Sequence, residues 1–230
     1  SNLYPETMSG QFDLHDETIN DAIAALKTLQ QDTSIFFGKY VLLGHSLGAY
    51  AMPIMADSVK ADIAGAILFS ANARKLEDLI EYQMDYLTNY DGQITPEEKK
   101  LITQNTELAE NIRTANFTDT TSADDLLAYW PGKFWKSIAD YDPVTQLSLN
   151  KQTPFLILQG EKDYQITMED FAIWKERVGA QSNVSLQSFP NLTHLFTPST
   201  SDKPGPGDYF VPQNVDYAVI QYLVNWIETL

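Results

Sequence analysis

Apolar and polar residues fall along the chain in blocks that predict strands and helices in turn. Short apolar or alternating runs at 39–44, 64–71, 154–160 and 183–189 have the length and composition of strands. Helical spacing occurs at about 16–31, 47–58, 167–178 and 215–228. The last of these is expected to bury one face, formed by Val215, Ala218, Val219, Tyr222, Leu223, Trp226 and Ile227. Because strands that alternate with helices are joined by crossovers, the pattern predicts an α/β fold with a mostly parallel sheet flanked by helices.

The segment 72–150 breaks this alternation, since it contains no strand-like run. It predicts helices at about 75–90 and from Thr95, where Thr95 is an N-cap and Glu98 completes a capping box. We therefore expect an α/β core at 1–71 and 151–230 and a helical cap at 72–150. The aromatic residues of this cap predicted to contact substrate are Tyr129, Trp130, Phe134 and Trp135. The alternative is that these side chains form the core of the cap itself.

Composition and charge remove several classes of function. The 230 residues carry a formal net charge of −16, which repels phosphate backbones, so no nucleic-acid partner is expected. No cysteine is present, which excludes disulfides, thiolate metal sites and a cysteine nucleophile. No apolar run reaches the roughly 18 residues of a membrane span, and the polar start of the chain is no signal peptide. We expect a soluble protein, cytoplasmic by default, with an extracellular location left open.

The chemical signal is the pentapeptide Gly44-His45-Ser46-Leu47-Gly48, which fits G-x-S-x-G between a predicted strand and a predicted helix. A serine on such a tight turn has a strained backbone, and neighbouring chain approaches so closely that both glycines are expected to be required. The turn leaves Ser46 at a helix N-terminus, where the backbone N–H of Leu47 faces a developing oxyanion. We predict that Ser46 is a nucleophile; the alternative is an ordinary strand–helix turn.

A serine nucleophile needs a base, and the chain offers three histidines. His15 precedes the first helix, and His45 adjoins Ser46 and is badly placed to reach its hydroxyl. His194 follows the fourth predicted strand in a loop, where a base would reach the strand ends. His194 is therefore the predicted base, against the alternative of a solvated loop histidine.

The imidazole also needs an orienting carboxylate, and Asp163 lies just past the third predicted strand. Ligands and chemistry gather at this end of parallel strands. Glu161 is the near competitor, and Asp140 and Asp142 are more distant ones. The order serine, aspartate, histidine along the chain is that of the α/β-hydrolases and of neither serine protease order.

Together, the stretches "LLGHSLGAY", "SANARKLEDLIEYQMDYL", "YDPVTQL", "PFLILQGEKDYQITMEDFAIWK", "FPNLTHLF" and "VPQNVDYAVIQYLVNWI" resemble the α/β-hydrolase superfamily. More narrowly, the chain is similar to bacterial serine hydrolases of the dienelactone-hydrolase or bile-acid-acyltransferase-C-terminal-like kind. The resemblance implies Ser46 as nucleophile, Asp163 as acid and His194 as base, under a helical cap. It also implies hydrolysis of an ester, thioester or amide with no metal or organic cofactor.

The chain departs from that family ahead of the turn that carries Ser46. Only about 38 residues precede the strand 39–44, whereas the family fold supplies several strands there and a loop with the second oxyanion donor. The N-terminal strands are expected to be missing, so this chain alone is not expected to bury the outer edge of that strand. A separate N-terminal segment or a second copy of the chain is expected to cover it.

The leading functional prediction is a serine carboxylesterase that forms an acyl-enzyme with a small ester. The aromatic cap favours an apolar or aromatic group on that ester. The alternative is a catalytically impaired fragment or pseudoenzyme that lacks part of the oxyanion hole. A peptidase, thioesterase or acyltransferase would use the same three residues.

Overall fold

The protein is described from a computed structural model, which describes residues 10–32, 34 and 38–230. The chain divides into two compact units: a helical unit that comprises the residues up to Asp21 and Leu76–Tyr141, and a sheet unit that comprises Ala22–Lys75 and Asp142–Leu230. The core and cap predicted from sequence had boundaries at 71/72 and 150/151. That the helical unit covers the strand ends as a cap stays a prediction.

The sheet unit contains four parallel strands in the order β1-β2-β3-β4, namely β1 (Val41–His45), β2 (Gly65–Phe69), β3 (Phe155–Gly160) and β4 (Val184–Phe189). The predicted α/β class, strand number and parallel pairing are confirmed. All residues of β2 and β3 are buried, as their continuous apolar runs predict. The alternation predicted for β4 is absent, because each of its residues is half-buried at the sheet edge.

Strand β1 lies at the opposite edge, where it pairs with β2 alone among the described residues. Its apolar sequence is typical of a buried strand, but the Leu43 side chain is 52% exposed. Because no second strand of the described residues pairs with β1, this side chain is left exposed. The expected cover from a further segment or a second copy of the chain stays a prediction.

Five of the described α-helices lie wholly or mostly in the sheet unit. They are α1 (Asn20–Gln31, entered through a π-helical turn at His15–Ile19), α2 (Leu47–Ser58), α6 (Pro143–Leu149), α7 (Met168–Val178) and α8 (Tyr217–Ile227). Helix α2 contacts β1 and β2, and α6 contacts both α2 and α7. Helix α8 packs Val219, Tyr222, Leu223 and Trp226 onto a core that includes Ile67, Phe69, Leu156 and Leu158.

The predicted buried face of α8 is correct for four of its seven residues. Val219 is fully buried, and Tyr222, Leu223 and Trp226 pack against the core. Val215, Ala218 and Ile227 are exposed, which corrects the prediction. Val215 lies ahead of the helix, which begins at Tyr217, so helical spacing does not apply to it.

The helical unit contains α3 (Leu76–Thr88), α4 (Pro96–Arg113) and α5 (Gly132–Ile138), with short 3₁₀ turns at Ala123–Asp125 and Leu127–Tyr129. The predicted capping box of α4 is confirmed: Thr95 Oγ1 accepts from the Glu98 N–H at 3.2 Å, and a Glu98 carboxylate oxygen accepts from the Thr95 N–H at 2.7 Å. No helix in the described ranges is long and apolar enough to cross a membrane.

Candidate active site

The turn between β1 and α2 holds Ser46 in a conformation that few residues other than glycine adopt. Its φ is 56° and its ψ is −119°, a state that costs a non-glycine residue about 1–3 kcal/mol. The Ser46 N–H donates to the carbonyl of Phe69 at 3.0 Å, which ties the turn to the end of β2. Serine at an N-cap usually accepts a hydrogen bond from its own helix, but the Ser46 side chain makes no such capping bond.

The two glycines of the pentapeptide have different surroundings. A Cβ at Gly44 would lie 2.4 Å from the carbonyl oxygen of Gly48, so only glycine fits there. A Cβ at Gly48 would meet no described atom within 4 Å. The prediction that close approach requires glycine is therefore correct for Gly44 and wrong for Gly48. Gly48 matters through its backbone, because its carbonyl group lies close to where a Cβ at position 44 would be.

The start of α2 places backbone N–H groups that have no acceptor within their own helix beside Ser46. The first bond of the helix runs from the Tyr50 N–H to the Ser46 carbonyl at 2.9 Å, so the earlier N–H groups, including that of Leu47, have no acceptor within the helix. These donors and the positive end of the helix dipole favour negative charge at this position. Leu47 therefore has the local setting that the predicted oxyanion donor requires.

Asp163 and His194 are joined by a hydrogen bond of 2.8 Å between Asp163 Oδ2 and His194 Nδ1. Both side chains are buried, with exposures of 0% for Asp163 and 5% for His194. An ionised carboxylate accepts only, so Nδ1 of a neutral His194 carries the proton and Nε2 is left as a base. Residues 31 positions apart in sequence are thus placed as the predicted acid and base would need to be.

The Asp163 carboxylate is fixed at its other oxygen as well. Asp163 Oδ1 accepts from the backbone N–H groups of Gln165 and Ile166, each at 2.9 Å. The buried side-chain amide of Gln159 lies 3.2 Å from Oδ2. Burying a carboxylate is costly unless its oxygens are bonded, and these donors also hold it in one orientation toward His194.

The competing carboxylates lie elsewhere. Glu161 accepts from the Ser188 hydroxyl at 2.7 Å. Asp142 caps α6 and pairs with Arg177 at 2.8 Å, and Asp140 is exposed. Among the four carboxylates considered from sequence, Asp163 is the one that bonds to His194.

The turn that carries Ser46 contacts the loop that carries His194 through His45. His45, which adjoins Ser46, bonds through its ring to the backbone carbonyl of His194 at 2.8 Å. No hydrogen bond joins the Ser46 hydroxyl to the His194 ring in the described part of the chain. Bonds of this kind often tighten only when substrate is bound.

Two residues that sequence reasoning missed help to form this arrangement. A Cβ at Gly160 would lie 2.4 Å from the Leu192 carbonyl oxygen, so this glycine lets the loop that carries His194 approach the end of β3. Gln159, at 1% exposure, is the buried amide beside Asp163. Both residues end the otherwise apolar strand β3, and a polar residue followed by glycine at that place is the sequence signal that could have identified them.

The four aromatic residues predicted to contact substrate lie in the helical unit. Phe134 and Trp135 are fully buried, and the Trp130 ring lies 4.5 Å from that of Phe134 and 5.8 Å from that of Trp135, between centroids. Tyr129 is 76% exposed and has a positive φ of 57°. Packing alone accounts for three of the four, and the predicted contact with substrate stays a prediction for all of them. No group of three or more histidine, aspartate or glutamate side chains that could hold a metal ion occurs among the described residues.

A parallel sheet with a strained serine after one strand, and an aspartate–histidine pair after two others, defines the α/β-hydrolase class of fold. The chain belongs to the Hydrolase_4 family, described as serine aminopeptidase, S33, whose model matches residues 6–198. It is 29% identical over 211 residues to esterase EstD of Thermotoga maritima. That match covers 92% of this chain and 47% of EstD, so the chain spans about half the length of this relative.

Solved structures of two esterases show the same fold. Esterase Pf2001 of Pyrococcus furiosus matches with a TM-score of 0.51 at 17% identity, over 81% of this chain and 57% of Pf2001. A thermophilic esterase of Thermogutta terrifontis matches with a TM-score of 0.51 at 18% identity, over 96% of this chain and 74% of that esterase. At such identities the likeness bears on the fold alone.

Proposed function

We propose that the protein is a serine hydrolase that cleaves small carboxylic esters through an acyl-enzyme. The observation that carries the proposal is the buried hydrogen bond between Asp163 and His194, at 2.8 Å, beside the strained turn of Ser46. A buried carboxylate aligned on a histidine has no packing advantage over an apolar pair. The arrangement is understandable as a means of holding one histidine nitrogen free to accept a proton.

In the proposed reaction, Ser46 Oγ attacks the ester carbonyl carbon and its proton passes to Nε2 of His194. Asp163 stabilises the imidazolium that forms, and the Leu47 N–H donates to the oxyanion. The tetrahedral intermediate expels the alcohol, which takes the proton from Nε2. Water then attacks the acyl-enzyme with His194 again as base, and the acid product and free Ser46 are released.

Ester rather than peptide hydrolysis is proposed because EstD, which is 29% identical to this chain, is an esterase, although the family description is that of an aminopeptidase. Thioester cleavage and acyl transfer to an alcohol would use the same intermediate. We expect an apolar or aromatic group on the substrate, and Tyr129, the most exposed of the four candidate aromatics, is the one we propose to contact it.

A panel of p-nitrophenyl esters of graded acyl length, with matched thioesters and p-nitroanilides, tests the proposal. We expect turnover of esters that His194→Ala lowers by about 10⁴-fold or more. Exposed His15 provides the matched control, since His15→Ala should leave turnover unchanged. Anilide cleavage faster than ester cleavage would overturn the ester assignment, and turnover that survives His194→Ala would overturn the mechanism.

A slowly reacting hydrolase is the alternative, because the described residues offer one oxyanion donor region, at the start of α2. Loss of one donor typically costs about 10²–10³ in turnover. Transient kinetics separates the two: a burst of p-nitrophenol with a very slow steady state supports the slow enzyme. Rapid steady turnover supports a complete site.

For protein partners, we propose that an added strand covers the outer edge of β1, supplied by a second copy or by a further segment. The exposed Leu43 supports this proposal. Light scattering of the purified chain tests it: a dimer that Leu43→Lys dissociates indicates a second copy. A monomer that binds an added N-terminal segment indicates that a further segment supplies the strand. A monomer that binds neither a second copy nor such a segment contradicts the proposal.

A further inference from the structure

His45 connects the nucleophile turn to the loop of the proposed base. It ends β1 and is bonded covalently to Ser46, while its ring lies within hydrogen-bond distance of the His194 backbone carbonyl, at 2.8 Å. A carbonyl oxygen can only accept, so Nε2 of His45 carries the proton and donates it. The bond spans 149 positions of sequence.

The two imidazole rings are also in contact. Their centroids lie 4.5 Å apart at an interplanar angle of 52°. The His45 ring thus contacts His194 at its ring and at its backbone, whereas Asp163 holds His194 through Nδ1. Together these contacts restrain both the position of the base and the direction in which it faces.

The His194 carbonyl has a second potential donor from the neighbouring strand. Ser70 follows β2, is fully buried, has a φ of 48°, and places its hydroxyl 3.4 Å from the same oxygen. A non-glycine residue at positive φ is uncommon outside turns and functional sites. The ends of β1 and β2 therefore converge on one carbonyl of the histidine loop.

Burial and the neighbouring His194 ring lower the pKa of His45 below its usual value. His45 is therefore neutral at neutral pH, with one proton on Nε2 and a lone pair on Nδ1. A charged His45 would repel the imidazolium that the proposed reaction forms 4.5 Å away. A neutral donor can hold the loop without opposing that charge.

We propose that His45 is a positioning residue that sets His194 relative to Ser46 through its Nε2–H bond to the His194 carbonyl. The inference rests on the proposed function, since it concerns the same reaction. A displacement of a catalytic group by about 1 Å can cost 10²-fold in rate. His45 is not assigned any contact with substrate.

Two substitutions separate the hydrogen bond from the packing of the ring. His45→Phe retains a ring and removes the donor, whereas His45→Gln places an amide N–H near the position of Nε2 and removes the ring. We expect His45→Phe to lower kcat by about 10- to 100-fold with KM changed less than threefold. His45→Gln should recover about tenfold of that loss, and His15→Phe, at an exposed site, is the matched control.

The same variants are compared by the rate of reaction of Ser46 with a fluorophosphonate and by urea unfolding. If the Phe and Gln variants lose reaction rate equally, and in proportion to their loss of unfolding free energy, packing alone is indicated and the inference is overturned. A Ser46-dependent reaction that His45→Phe leaves unchanged would overturn it while the proposed function stands. If the wild-type protein shows no Ser46-dependent reaction, both the inference on His45 and the proposed function are wrong. Ser70→Ala, which removes the longer hydrogen bond to the His194 carbonyl, should lower kcat less than His45→Phe does.

Discussion

In the sheet unit, the fully buried Asp163 side chain has hydrogen-bond donors at both carboxylate oxygens, whereas in the helical unit the equally buried Trp135 has no partner for its Nε1 among the described residues. Both residues were predicted to serve the same reaction. The surroundings of Asp163 include a histidine and two backbone donors, and those of Trp135 are other rings. Contacts with other rings thus account for the burial of the Trp135 side chain, but packing does not account for an aligned carboxylate.

The comparison shows which kinds of sequence signal identify function. A carboxylate that is buried must be bonded, so its presence near a histidine carries information about chemistry. A buried aromatic residue is stabilised by the apolar area that it removes from water, whatever its role. Substitutions in each unit test whether the two regions differ in this way.

The largest expected effect in this comparison is at Asp163. Asp163→Asn removes the charge and the acceptor that fix the His194 tautomer, so we expect kcat for a short ester to fall by about 10⁴-fold. Glu161→Gln, which alters a carboxylate bonded to Ser188 instead, should stay within about threefold of wild type by the same reasoning. Steady-state kinetics on both variants checks this; a greater loss at Glu161 would reassign the acid.

The helical unit should respond in stability rather than in chemistry. Trp135→Ala empties a buried aromatic position and should lower the free energy of unfolding by about 3–5 kcal/mol. Tyr129→Ala, at a side chain 76% exposed, should change it by less than about 0.5 kcal/mol and should raise KM for aryl esters.

Urea unfolding and ester kinetics on these two variants show whether each side chain contributes to stability or to substrate binding. A stable Trp135→Ala protein with a raised KM would place Trp135 at the substrate and remove the contrast between the regions. If Tyr129→Ala leaves KM unchanged for every ester, none of the four aromatic residues would be assigned a contact with substrate.

At the two glycines of the serine turn, the expected effects on stability are smaller than that of Trp135→Ala. Gly44→Ala forces a methyl group against the Gly48 carbonyl and should cost about 1–3 kcal/mol, with loss of activity as the turn shifts. Gly48→Ala adds a methyl group in open space near the start of α2, so it should be neutral or stabilising by up to about 1 kcal/mol. Thermal unfolding of both proteins ranks their stabilities. Equal destabilisation would contradict the close approach of the Gly48 carbonyl to Gly44.

Much of the fold was predictable because its signals are local. The apolar runs of β2 and β3 and the Thr95–Glu98 capping box each depend on residues within a few positions of one another. The same holds for the G-x-S-x-G turn, whose context is one strand and one helix. Chain order then made Asp163 and His194 candidates without any knowledge of their distance.

What sequence reasoning missed depends on approach between distant segments. The contact between His45 and His194 and the close approach of the Leu192 carbonyl to Gly160 arise where loops meet at the strand ends. The exposure of Leu43 likewise depends on which strands lie beside β1. Such facts require the strand order and the path of the loops, which hydrophobic periodicity does not specify.

The central claim is that Ser46 is a nucleophile activated by His194, and covalent labelling tests it most directly. The folded protein, verified by circular dichroism, is mixed with a fluorophosphonate probe, and the modified peptide is located by mass spectrometry. We predict labelling at Ser46 that is absent in Ser46→Ala and strongly slowed in His194→Ala. Labelling of Ser46→Ala equal to wild type, or no labelling of the folded wild-type protein, would contradict the account.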